Sequence, residues 1–255
     1  MPHKEYIRLV AGSPTAVLFI HGILGTPDHF NKFIPLVPKE YSVYNLLLDG
    51  HGKHAADFSK TSMAVWEAQV SEAVAQLSAS HHTVYIVAHS LGTLLAIEQA
   101  VKTKAIAGLF LLAVPMRITL RSGMVIRSLK VYFNAIRPDD VWTLAAKRCC
   151  GVALDRNPLH YPGWIPRFFE LFAKICRTRR IIDALDTPCT AYQSQKDEIV
   201  SAKSIDCLQK NPCITIKTLK HSGHYYYADK DRDFLLAEFS RMLHTGKTAA
   251  EYAVK

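Results

Sequence analysis

Apolar residues recur along this chain in two alternating rhythms. Short, nearly unbroken runs of β-forming residues at 16–20, 43–48, 83–88 and 106–114 have the length and content of strands. Between them the apolar positions spread to helical spacing. The stretch 61–77 predicts a helix with Val65, Ala68, Val70, Ala73, Val74 and Leu77 on one face and Thr61 or Ser62 as its cap. Thr26-Pro27-Asp28 has the form of a helix start, and a further helix opens at Ser90 and runs to about Thr103. Strands apolar on both faces, alternating with amphipathic helices, predict a mostly parallel sheet covered by helices on both sides.

The alternation breaks after Pro115. Residues 117–183 hold no comparable strand, but predict helices at 124–136, 139–150 and 166–176, punctuated by Pro158, Pro162 and Pro166. Strands at 189–193 and 214–219 and helices at 202–209 and 231–244 then resume the earlier pattern, and the tail 245–255 is expected to fray. The simplest arrangement is one discontinuous α/β core, 1–116 with 184–255, carrying a helical cap at 117–183.

Composition narrows the class. The chain has 255 residues, of which 49% are hydrophobic and 21% charged, as expected of one globular α/β domain. Its N-terminus has no apolar core of a secretory signal, and its longest apolar run falls short of the ~20 residues of a membrane span, so a soluble, cytoplasmic protein is expected. The six cysteines lack metal-site or redox spacing and are expected as free thiols, with Cys149-Cys150 as two half-buried residues. His51, His54, His81 and His82 lack partners at ligand spacing and are expected as surface loop residues. The charge is localised: 117–183 holds 13 Lys/Arg against 5 Asp/Glu, a net of +8 in a chain of net +9. Basic and aromatic residues are interleaved there, yet no nucleic-acid-binding module is present. An apolar lid with a solvated basic outer face is expected, able at most to touch a membrane surface.

The chemistry starts at Ala88-His89-Ser90-Leu91-Gly92, directly after an apolar strand. A strand ending on serine and turning at once into a helix holds the hydroxyl out of the sheet on a strained backbone. The usual pattern is Gly-x-Ser-x-Gly, with Ala88 here in the first glycine position. Serine needs a base within reach and an acid to orient that base, and in this arrangement they follow in the order Ser, acid, His. Asp197, just past the strand at 189–193, and His224, in Ser222-Gly223-His224 past the next strand, fill that order. Asp197 is preferred to Glu198 and Asp206, and His224 to His221. The backbone N–H groups of Leu91 and of Ile23, after the turn at Gly22, are candidate donors to an oxyanion. His21 and His89 are assigned to packing around the turn.

Taken together, these motifs resemble the α/β-hydrolases, specifically serine carboxylesterases and monoacylglycerol-lipase-like enzymes. His21-Gly22-Ile23-Leu24-Gly25 resembles their oxyanion loop and Asp49-Gly50-His51-Gly52 the turn after their next strand. Residues 88–92 resemble the nucleophile elbow, 196–200 the acid loop and 222–224 the histidine loop. The resemblance implies an α/β-hydrolase fold, ester hydrolysis through an acyl-enzyme on Ser90, no metal or organic cofactor, and a cap that roofs an acyl pocket above Ile23 and Leu24. It implies a small acyl ester, of short or medium chain or monoacylglycerol-like, as substrate, with Leu24 contacting it. A thioesterase, amidase or carbon–carbon bond hydrolase on the same triad is the alternative. A binding protein that retains only the fold is a more distant one.

Overall fold

The computed structural model describes residues 3–119 and 121–252. Among these residues seven strands form one sheet: β1 (Tyr6–Arg8), β2 (Thr15–Ile20), β3 (Ser42–Leu46), β4 (Thr83–His89), β5 (Ile106–Leu112), β6 (Cys189–Ser194) and β7 (Ile214–Leu219). Their spatial order is β1-β3-β2-β4-β5-β6-β7. Only β1, an edge strand of three residues too short to leave a pattern, runs antiparallel, against β3.

The central strands are apolar throughout because both faces are covered. In β2, Ala16, Leu18 and Ile20 point into one half of the core while Val17 and Phe19 point into the other. Among the described residues the α-helices are α1 (Ala55–Phe58), α2 (Met63–Ser80), α3 (Leu91–Lys102), α4 (Ser122–Tyr132), α5 (Val141–Cys149), α6 (Trp164–Ile181), α7 (Ile205–Leu208) and α8 (Asp229–Tyr252). α2, α3 and α6 pack the first half, through Trp66, Leu94, Leu95 and Ile175; α8 covers the second with Leu235, Phe239 and Leu243.

Three expectations need correction. The buried face of α2 runs through Met63, Trp66, Val70, Ala73, Val74 and Leu77, whereas Val65 and Ala68 are exposed; the large indole sets the rotation of the helix. His51 and His81 are buried rather than surface residues. The helix expected to end at 244 continues to Tyr252; the rest of the expected frayed tail, 253–255, lies outside the described residues.

The inserted stretch divides in two. α6 belongs to the helical layer of the core: Leu171 and Ile175 join its apolar cluster, and the buried Lys174 ammonium reaches Glu98 of α3 and, at 2.7 Å, Glu67 of α2. α4 and α5 contribute no residue to either apolar core cluster. They rest instead on the loops at the carboxyl edge of the sheet.

Candidate active site

Ser90 sits between β4 and α3 with φ 51° and ψ −121°, a region a residue with a Cβ rarely enters. The sheet holds it there. Ala88 pairs with Ile20 on one side and Leu111 on the other, and the Ser90 N–H donates to Leu112 O at 2.9 Å. α3 can start immediately only because Gly92 lies against β2: a Cβ on it would stand 2.2 Å from Ile20 O. Leu91 is therefore the first helical residue, where a backbone N–H has no intrahelical acceptor and carries the positive end of the helix dipole.

The oxyanion-loop candidate presses on the same point. A Cβ on Gly22 would be 2.9 Å from Ser90 Cβ. The loop turns back with Gly25 N–H donating to Gly22 O at 2.9 Å and Leu24 at φ 54°. His21 secures its base: Nε2 accepts the Leu48 N–H at 3.1 Å, leaving Nδ1–H to donate to Gly22 O at 2.9 Å. Ile23 and Leu24 are half-buried, packed against the core.

Beyond β6, Asp197 Oδ1 accepts the N–H groups of Ile199 (2.8 Å) and Val200 (2.7 Å), which aims Oδ2 at His224. His224 Nδ1 lies 2.9 Å from that oxygen, with both residues buried. A carboxylate can only accept, so Nδ1 carries a proton, and in the neutral ring the lone pair falls on Nε2. His224 also lies next to the elbow: His89, the neighbour of Ser90, places Nε2 3.0 Å from His224 O and its ring centroid 4.7 Å from that of His224. The competing residues take other places. Asp206 and His221 are exposed, and Glu198 accepts the backbone N–H of His224 at 3.2 Å.

Several neighbours lie outside the candidate triad. His29 stacks on His89 with centroids 4.0 Å apart, and His51 lies 4.8 Å from His21. Burial holds these imidazoles neutral, lowering His29 to about 3, His51 to about 4, and His21 and His89 well below the ordinary value. Cys149 Sγ lies 3.5 Å from His29 Nδ1, and burial pushes this thiol up to about 12. Among the described residues, no group of three or more His, Cys, Asp or Glu side chains is placed to hold a metal ion.

The inserted stretch touches all three site loops. Gly151 N–H donates to Leu24 O at 2.8 Å, and a Cβ on Gly151 would run into Gly25. Ile118 pairs with Val200 as an antiparallel bridge, with the Thr119 N–H donating to Ile199 O at 2.8 Å. Trp142 lies against Gly223 and stacks on Tyr226 at 4.8 Å. Ser90 is left 7% exposed. The aromatic residues divide unexpectedly. Trp142 faces the site loops, but Phe133, Phe168, Phe169 and Phe172 are exposed, as is the α4 stripe of Val125, Ile126 and Leu129.

A serine strained between strand and helix, backed by a buried histidine–carboxylate pair from later strand ends of one parallel sheet, defines a class as much by topology as by residues. The chain belongs to the alpha/beta hydrolase family, whose model matches residues 17–238. It is 24% identical over 233 residues to the thermostable monoacylglycerol lipase of Bacillus sp. (strain H-257), covering 88% of each chain. Among solved structures it is similar to a metagenome-derived lipolytic enzyme of the LipS and LipT pair, with a TM-score of 0.73 at 17% identity, covering 96% of this chain and 98% of that one. It is also similar to the monoacylglycerol lipase of Paleococcus ferrophilus, with a TM-score of 0.68 at 14% identity, covering 94% and 99%. No helix among the described residues is long and apolar enough to cross a membrane.

Proposed function

We propose that this protein is a serine hydrolase that cleaves carboxylic esters through an acyl-enzyme on Ser90. The observation that carries the reading is the buried His224–Asp197 pair at 2.9 Å against His89, whose neighbour Ser90 is held at φ 51°. His224 Nε2 takes the Ser90 hydroxyl proton as Oγ attacks the ester carbonyl, forming a tetrahedral oxyanion. The N–H groups of Ile23 and Leu91 hold that oxyanion, and one such donor contributes on the order of 3 kcal/mol to transition-state stabilisation. The imidazolium, stabilised by Asp197, gives its proton to the leaving alcohol. Water, deprotonated by His224, then attacks the acyl-enzyme and releases the carboxylic acid, with the proton returning to Ser90 Oγ.

The family and the inserted helices support a substrate class. Monoacylglycerol lipases are among the proteins this chain is similar to. Accordingly we assign it a short or medium acyl ester or a monoacylglycerol, with Leu24 against the acyl group and residues 117–163, rather than the whole of 117–183, as lid. The exposed apolar stripe of α4, in an insertion of net charge +8, is suited to brief contact with an anionic membrane surface; Lys130 and Arg137 beside it are paired with Asp140 and Asp139.

Ser90→Ala tests the reaction. It is expected to abolish turnover of p-nitrophenyl butyrate and labelling by a fluorophosphonate, with circular dichroism unchanged; full activity would sink the mechanism. A panel of matched ester, thioester and amide substrates tests the bond, and a thioester preferred over its ester would replace the assignment.

A further inference from the structure

Glu198 follows the proposed acid directly, yet its carboxylate serves a different end. Oε2 accepts the backbone N–H of His224 at 3.2 Å, while Oε1 takes a 2.6 Å charge-assisted hydrogen bond from Arg127 Nη1 on α4. The carboxylate is almost wholly buried, and the guanidinium lies 5.0 Å above the ring of Trp142 on α5. Trp142 in turn closes on Gly223, where a Cβ would stand 2.3 Å from its ring and 2.7 Å from Glu198 Oε2. One buried carboxylate thus joins both lid helices to the main chain of the histidine loop.

We infer that Glu198 is a positioning residue that couples closure of the lid to the placement of His224, with Arg127 as its partner on the lid; the inference rests on the serine-hydrolase reading above. Two features make the coupling specific. A lone buried carboxylate is costly, so the Glu198 side chain keeps its place under His224 only while Arg127 neutralises it. The arm that enters the lid is held separately by main-chain bonds, Arg121 N–H to Glu198 O (3.1 Å) and Ser201 N–H to Arg117 O (2.8 Å). Loss of the ion pair therefore frees α4 and α5 without detaching the insertion. When the lid lifts, Arg127 leaves, the His224 backbone loses its fixed acceptor, and the imidazole drifts from the geometry set by Asp197. Attack by Ser90 is thereby confined to the closed, water-poor state.

The test is a double-mutant cycle of Arg127→Met and Glu198→Gln in the full chain, with Arg127→Lys as the conservative variant. Each single change is expected to lower kcat on p-nitrophenyl butyrate about tenfold with KM altered less than about twofold, and the double variant to be no worse than either. Arg127→Lys should recover most of the rate. Additive losses, or a change confined to KM, would overturn the coupling. A second readout needs no turnover: amide hydrogen exchange of the segment containing His224 should rise about tenfold in Arg127→Met and Glu198→Ala. Unchanged exchange overturns the inference even if the protein is an active esterase. Raised exchange in a protein that fluorophosphonate does not label would uphold the coupling and reject the hydrolase reading instead.

Discussion

The sheet edge that carries Ser90 and the inserted helices α4 and α5 are held by opposite means. At the edge, backbone meets backbone: Ser90 N–H is bound to Leu112 O, Gly92 touches Ile20 O, and Asp197 is aimed by two main-chain donors. No rotamer can relax these contacts, so the geometry is set before any substrate arrives. Helices α4 and α5 bury no residue in either apolar core cluster, and this part of the chain turns Val125, Ile126, Leu129 and Phe133 outward. They are fastened by a few side chains, chiefly Arg127 and Trp142, which rotate freely once released. Under the proposed function, a rigid reacting centre beneath loosely fastened helices suits an apolar substrate that must enter before water is shut out.

The contrast breaks most sharply at Asp197. Asp197→Asn should preserve the fold but lower kcat about 10⁴-fold, because an amide can satisfy the His224 ring in the wrong tautomer. Steady-state kinetics checks this, and a loss below about tenfold would remove Asp197 from the proposed triad. The next effect belongs to backbone contact. Gly92→Ala is expected to destabilise by about 3 kcal/mol, as the strand carbonyl against its Cβ cannot yield. Urea unfolding would measure it, and a loss under 0.5 kcal/mol (about the scatter among surface variants) would show that the elbow can open.

Acid should discriminate the two regions as well. His51 is driven by burial from an ordinary 6.5 to about 4 in the folded protein. The unfolded chain therefore takes up this proton first, so the stabilisation is complete above pH 6.5 and is lost as pH falls from there towards 4. At about 1.4 kcal/mol per pH unit this one group accounts for about 3 kcal/mol across that interval. His51→Gln should flatten the slope of unfolding free energy against pH between 6.5 and 4 by that amount; an unaltered slope would mean that His51 titrates normally.

The smallest effect on stability, and the one most specific to the lid, is expected at its outer face. Ile126→Ser with Leu129→Ser should shift unfolding by less than about 0.5 kcal/mol, since both side chains are half exposed. Flotation with phosphatidylglycerol vesicles should nevertheless fall severalfold, while phosphatidylcholine vesicles capture neither form. Equal capture of wild type and variant would leave the basic lid without a lipid role.

What the sequence determined is what local pattern encodes. Two-faced strands, a serine at a strand end and glycines where backbone approaches backbone leave marks within five to ten residues, and the places of Ser90, Asp197 and His224 past strand ends were legible because each follows its own strand. The order of these ends along one parallel sheet brought them to a common edge. Tertiary structure alone decided the rest. The phase of α2 was misread because Trp66 outcompetes Val65 for the core, a choice made by the cavity it fills. α6 reads as part of the lid until Lys174 meets Glu67 and Glu98, and Glu198 reads as a bystander until Arg127 reaches it from 71 positions away. The stacked histidines and the outward turn of α4 are of the same kind. Contacts between distant segments carry no periodicity, so which charge finds its partner, and which apolar face finds none, is settled only when the chain closes on itself.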